Sequence, residues 1–193
     1  DAILFGLVDS PMKRALTLFD SRLFFDRVFV ISPRVFRSVQ RCSLKPVLLL
    51  PPVPKDYFLT PHEKVTRGKI KIGFIGRIDI GKGIADAVDL FLRLKGRDDV
   101  ETAIYGYYSA EADTSNSKGI YEWLKTQKEI HYIDVEQRRY TPEAEEQLKR
   151  VLRETDILLL PYRKLSSTID TPLLLLEGMA SLCAIVTRRL GDI

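Results

Sequence analysis

The stretch Lys69-Ile-Lys-Ile-Gly-Phe-Ile-Gly76-Arg77-Ile78-Asp79-Ile80-Gly81-Lys82-Gly83 decides how the chain is read. Its first half alternates and then ends in glycine, as a buried strand does. Ile84, Ala87, Val88, Phe91 and Leu94 follow at helical spacing. A strand, a glycine-rich turn and a helix therefore stand in immediate succession.

The alternation continues downstream. Val100 to Tyr105 reads as a second strand, and a polar loop through Asn116 leads to a helix around Tyr121, Leu124 and Lys125. Ile130 to Val135 is a third strand. Thr141-Pro142 opens a helix, the hydroxyl as N-cap and the proline at the first helical position. Ala144, Leu148, Val151 and Leu152 supply its buried stripe. Ile157 to Leu160, ending in Pro161, is wholly apolar and so is expected to be buried on both faces. A helix from about Pro172 to Leu182 and a strand over Ala184 to Thr187 complete the pattern. Five strands interleaved with four helices predict an α/β, Rossmann-like domain, a doubly wound parallel sheet with right-handed crossovers.

Upstream the rhythm occurs once: a strand over Arg27 to Ile31, a helix capped by Ser32-Pro33 through about Arg41, and a strand over Val47 to Leu50. One such unit is too small to fold well alone. Proline and charge are concentrated between Pro51 and Gly68. Residues 1–54 are thus expected to be the end of one domain, 55–68 a linker, and 69–193 a second domain that is incomplete at its C-terminus. The first 25 residues read as amphipathic, with Leu16, Phe19, Leu23 and Phe24 on one side of a helix.

Composition narrows the class. Apolar residues make up 45% and charged ones 29%, which sets aside disordered, collagenous and coiled-coil chains. The longest apolar runs fall far below the roughly 20 residues that cross a bilayer. Cys42 and Cys183 form no disulfide framework and read as core fillers in a reduced, cytoplasmic compartment. His62 and His131 lack ligand-spaced neighbours, so no metal site is expected. A net charge of +4 suits an anionic partner, whether nucleic acid, anionic lipid or a diphosphate. No aromatic-interleaved RNA-reading motif occurs, which argues against nucleic acid. The basic, amphipathic N-terminus suits a peripheral contact with anionic lipid.

In a doubly wound sheet, ligands bind where the strands end, so the loops that follow strands carry the chemistry. The loop Gly76 to Gly83 places three glycines, Arg77 and Lys82 before a helix N-terminus, whose unpaired N–H groups favour a phosphate. Arg77 and Lys82 could grip one diphosphate, as a fork and as a point charge. The spacing matches neither a P-loop nor G-x-G-x-x-G, and a plain solvated turn is the alternative. The second segment is Asp170-Thr171-Pro172-Leu173-Leu-Leu-Leu-Glu177-Gly-Met-Ala180. Glu177 falls within an apolar helix, where a carboxylate must be paired or face a polar cleft. Sugar hydroxyls would satisfy it, and so would a nearby Arg or Lys, with Asp170 then a simple N-cap.

These two segments, in this order, resemble the C-terminal domain of GT-B glycosyltransferases, in particular glycosyltransferase family four. That family carries Gly-Arg-Leu-x-x-x-Lys-Gly after the first strand of its donor domain, here Gly76 to Gly83 with Ile78 for Leu. Later it carries an acidic residue, seven residues, then Glu-Ala-Met-Ala, here Glu177-Gly178-Met179-Ala180. Val28 to Ser32 and Leu48 to Val53 look like the end of the family's acceptor domain. The resemblance implies a retaining, metal-independent hexosyltransferase-type enzyme that uses a nucleoside diphosphate sugar as substrate and needs no other cofactor. By the same resemblance, Arg77 and Lys82 bind the diphosphate and assist its departure. Asp170 contacts the transferred sugar, and Glu177 holds the ribose hydroxyls. Backbone N–H groups around Thr171 and Leu173, beside Pro172, face the phosphates. The acceptor would be a glycan or a lipid-linked sugar. A non-catalytic nucleotide- or sugar-phosphate-binding module of the same fold is the alternative.

Three departures from the family pattern stand out. Strict spacing puts the first acidic residue at Ile169, one place before Asp170. Thr171-Pro172 replaces Gly-Phe-Gly. The later Gly and Pro are Leu182 and Ala184. Without most of the acceptor half, this piece is expected to be inactive alone.

Overall fold

The structure is a computed structural model and describes residues 2–4, 15, 19, 23–24, 26–41, 45–64, 68–110, 117–135, 141–165, 168–169 and 171–191. The first unit contains β1 (Ala2–Leu4), β2 (Val28–Val30), α1 (Pro33–Gln40) and β3 (Pro46–Leu48), with the strands parallel in the order β1-β2-β3. Ser32 caps α1 by accepting from the Val35 N–H at 3.1 Å. Val28, Val30, Val35 and Val39 form the small core. The strand at the very start is not legible in the sequence, since three residues are too few to show a period of two. Ala15, Phe19, Leu23 and Phe24 are helical, and Leu16 lies outside the described residues.

The second unit holds β4 (Ile70–Arg77), α2 (Ile84–Leu94), β5 (Val100–Tyr107), α3 (Lys118–Thr126), β6 (His131–Asp134), α4 (Pro142–Glu154), β7 (Ile157–Leu160), α5 (Leu173–Ala180) and β8 (Ala184–Thr187). All five strands are parallel, in the order β6-β5-β4-β7-β8. This is the doubly wound sheet that the alternation predicts. The chain runs outward from β4 through β5 to β6, then returns to β7 on the other side of β4. The strand order therefore reverses between β4 and β7.

Alternation along the strands feeds two cores. Phe74, Ile104 and Leu159 face α2 and α3, meeting Ile84, Ala87, Phe91 and Leu124. Leu158 and Leu160 face the other way, toward Leu152 of α4 and toward Leu174 and Leu175 of α5. Thr141 caps α4 as expected, its hydroxyl accepting from the Ala144 N–H at 3.2 Å. Gly178 lets α5 lie close on the sheet, since a Cβ there would stand 2.5 Å from Leu158 Cδ2.

Helix α5 ends in a Schellman turn: the Cys183 N–H donates to Gly178 O and the Leu182 N–H to Met179 O. Leu182 occupies the left-handed position with φ of 57°. The resemblance places glycine there, and a leucine in this conformation costs about 1–2 kcal/mol.

The run from Val53 to Lys64, much of it read as linker, lies against the second unit. Tyr57 is buried among Leu152, Leu158, Leu160, Tyr162 and Cys183. The Leu59 N–H donates to Ala180 O at 3.0 Å, and the Ser181 hydroxyl donates to Tyr57 O at 3.2 Å. Lys64 Nζ donates to Leu152 O, Thr155 O and Ser181 O at 3.0, 2.5 and 2.8 Å. A single ammonium thereby caps the ends of both α4 and α5. Cys183 is buried, as expected of a core filler; Cys42 lies outside the described residues. Among the described residues no helix is long and apolar enough to cross a membrane.

Candidate functional site

The glycine loop leaves β4 at the reversal point of the sheet. Gly76 has φ of 136°, and Arg77 ends the strand opposite Tyr107 of β5. Asp79 then turns the chain into a 3-10 segment over Ile80–Lys82. Its Oδ1 accepts from the Gly81 N–H at 2.6 Å and the Lys82 N–H at 3.2 Å. Its Oδ2 accepts from Arg77 Nη2 at 2.8 Å. The side chains of this pair are 17% and 2% exposed. Arg77 Nε is buried without a hydrogen-bond partner.

The neighbouring strand's loop grips the same turn. The N–H groups of Arg163 and Lys164 both donate to Gly81 O, at 2.8 and 3.2 Å. The Arg163 guanidinium forks onto Asp86 in the first turn of α2 and holds that carboxyl below its ordinary range. From α3's side, Ser117 Oγ accepts from the Ile80 N–H at 3.2 Å. Gly83 has φ of 84° and sits so close to β7's exit that a Cβ would lie 2.0 Å from Pro161 O. Only glycine meets both demands.

Lys82 Nζ stands 4.9 Å from the ring centre of Tyr162, over its face, a cation–π contact. Burial pushes the Tyr162 phenol up to about 12, and the charge of Glu177 adds to that shift. Tyr162 thus meets the lysine of the other loop and feels the charge of the glutamate of α5. Burial also raises the Glu177 carboxyl above its ordinary value, with the charge of Glu145 contributing. Among the described residues, no cation pairs with Glu177 and no donor reaches its carboxylate. Among the described residues, the pairing with Arg or Lys that the sequence left open is not found.

Thr171 and Pro172 lead into α5, where Pro172 is the N-cap residue and offers no side-chain hydrogen bond to the helix. The helix starts one residue later than expected, with Leu173 exposed. Asp170 lies outside the described residues. Arg77, Asp79, Lys82 and Tyr162 thus form one connected row at the carboxyl ends of β4 and β7, and Glu177 of α5 acts on Tyr162 through its charge. That is the crevice where such sheets take ligands. Sequence reasoning gave Asp79 and Tyr162 no role. The cue for Asp79 was its place two residues ahead of a glycine, where a carboxylate caps a turn.

A cavity of about 530 Å³ lies at the opposite end of the sheet, bordered by Phe91, Gly96, Val100, Gln127 and His131. Two of the cations that line it, Lys95 and Arg97, are paired with Glu129 and Asp99. It shares nothing with the glycine loop.

The family model for glycosyl transferases group 1 matches residues 69–193. No curated protein sequence matches the chain. HepE from Anabaena, in complex with UDP and glucose, superposes with a TM-score of 0.69 at 10% identity over 99% of this chain and 53% of that one. WaaG, a glycosyltransferase involved in lipopolysaccharide biosynthesis, gives 0.62 at 12% identity over 100% of this chain and 57% of its own. The C-terminal domain of LpcC from Francisella tularensis, a glycosyl transferase group 1 family protein, gives 0.52 at 22% identity over 73% and 72%. At these identities the likeness is one of fold, and the chain spans about half the length of HepE and WaaG. With the family model covering most of its length and the GT-B fold around it, the chain belongs to the glycosyl transferases group 1 family.

Proposed function

We propose that the chain is the nucleotide-sugar-binding half of a glycosyltransferase. It would move a hexosyl group from a nucleoside diphosphate to a glycan or lipid-linked acceptor, in the cytoplasm. The observation that supports this reading is the row Arg77–Asp79–Lys82–Tyr162 at the switch point, with Glu177 on the helix that follows β7. Arg77 and Lys82 hold the diphosphate and stabilise the charge that grows on it as the sugar–phosphate bond breaks. Glu177 accepts hydrogen bonds from the ribose hydroxyls, which would supply the donors it lacks. Asp170 contacts the transferred sugar, and the N–H groups opening α5 face the phosphates. Retention of configuration and independence of metal follow from the family resemblance and belong to the same proposal. HepE's complex with UDP makes UDP the first nucleotide to try.

Lys82→Ala is expected to weaken binding of UDP, GDP or ADP by roughly 10–100-fold with little change in melting temperature. Arg77→Ala should weaken it similarly, but it also lowers stability, because Asp79 is left buried without its cation. Calorimetry showing unchanged affinity for all three nucleotides removes the phosphate assignment.

Glu177→Gln separates function from folding. A carboxyl whose folded pKa is raised contributes its stability below the unfolded value and loses it as pH rises through the folded value. At neutral pH the ionised group is therefore a burden, and glutamine should raise the melting temperature. The gain should vanish toward pH 4, and affinity for the nucleotide should fall about tenfold at neutral pH. A variant both less stable and equally tight-binding would contradict the assignment.

The missing Gly-Phe-Gly favours a second reading, binding without turnover; release of free sugar from the donor by the full-length protein argues against it. Phe19, Leu23 and Phe24 are 60%, 58% and 74% exposed, which supports a peripheral contact with anionic lipid beside the acceptor half. Joint Phe19→Asp and Phe24→Asp substitution is expected to abolish co-sedimentation with anionic vesicles. Equal sedimentation of variant and parent rules the contact out.

A further inference from the structure

Asp79 is the most buried charged side chain of the glycine loop, yet the donor reading alone gives it no task. A carboxylate beside a diphosphate site opposes the ligand by charge, so its presence there calls for a reason. The geometry supplies one. One oxygen accepts from the backbone N–H groups of Gly81 and Lys82, which sets the turn from which Lys82 projects toward Tyr162. The other oxygen accepts from Arg77 Nη2 at 2.8 Å, which fixes the plane of the guanidinium. The pair is nearly sealed from solvent, so the arginine has little rotamer freedom left to lose on binding.

We infer that Asp79 is the positioning residue of the site, one carboxylate that directs both cations toward the diphosphate. This rests on the donor-binding reading above. Two effects of Asp79 on affinity have opposite signs: its charge repels the ligand, and its hydrogen bonds preorganise the cations. At a buried, geometrically fixed pair the second outweighs the first, because the guanidinium already neutralises the charge.

Isothermal calorimetry with UDP, GDP and ADP on the intact protein tests this, run well below each variant's melting temperature. Asp79→Asn keeps an oxygen for the turn and removes the charge that orients Arg77; Asp79→Ser, a smaller capping residue, is the second variant should the first not fold. In the parent background either substitution is expected to weaken the best nucleotide about tenfold. In an Arg77→Ala background the same substitution should change affinity less than twofold, about 0.4 kcal/mol. An equal loss in both backgrounds means that Asp79 only shapes the turn, and overturns the inference. So does equal or tighter binding by the single variants. A parent that binds none of the three nucleotides instead sinks the donor-binding reading itself, and the inference with it.

Discussion

Replacing Gly83 with alanine should cost about 3–5 kcal/mol of stability, a loss that few single substitutions reach. Two independent faults add up. The residue holds φ of 84°, which disfavours any L side chain, and the new Cβ would stand 2.0 Å from Pro161 O. The atom in the way is backbone, part of the turn that leaves β7, so no side chain can swing aside. Relief requires β7's loop to separate from the glycine turn. That movement would break the bonds from Arg163 and Lys164 to Gly81 O and draw Tyr162 off Lys82. Urea denaturation gives the stability loss, and calorimetry on whatever folded fraction remains should show nucleotide affinity falling with it. A loss under about 1 kcal/mol, the scale of an ordinary surface change, would mean that the two loops are not in contact.

The second large effect is expected at Lys64. Its ammonium donates to three carbonyls at the ends of α4 and α5, where the helix dipole also favours a cation. Lys64→Ala is expected to lose about 2–4 kcal/mol, and Lys64→Met nearly as much, since it restores the stem but not the charge. Near-parental stability of the methionine variant would show that the stem's packing, rather than the capping, holds this segment down. Nucleotide affinity measured on the folded protein should not change in either variant, because Lys64 lies at the helix ends remote from the glycine turn.

The contrast between these sites explains what could be read from the sequence. Strands β4 to β8 announced themselves because each is fed by a pattern contained within a few residues, and their parallel order follows from the alternation with helices. Arg77, Lys82 and Glu177 stood out for similar reasons: each breaks a local pattern. The contacts that assemble the site are different in kind. Tyr162 meets Lys82 across the sheet reversal, and Lys64 reaches carbonyls 88 to 117 residues away. Nothing near either residue records such a meeting. Leu182 is a third case. Where the family pattern has a glycine, the Schellman hydrogen bonds impose φ of 57° on leucine, which the sequence alone does not show. Asp170, one place out of family register, lies outside the described residues, so the role inherited from the family stays a proposal for it.

The place of β4 in the sheet has a consequence for how ligand and fold influence one another. This strand is paired along both edges, and the glycine turn is its direct continuation. Amide hydrogens in the middle of the sheet exchange only when the whole unit opens. Occupancy at the turn is therefore coupled to global unfolding rather than to a local fray. A nucleotide present at 100 times its dissociation constant should add about 2.7 kcal/mol to the unit as a whole. Protection from deuterium would then rise in the strands most remote from the ligand as well as in those beside it.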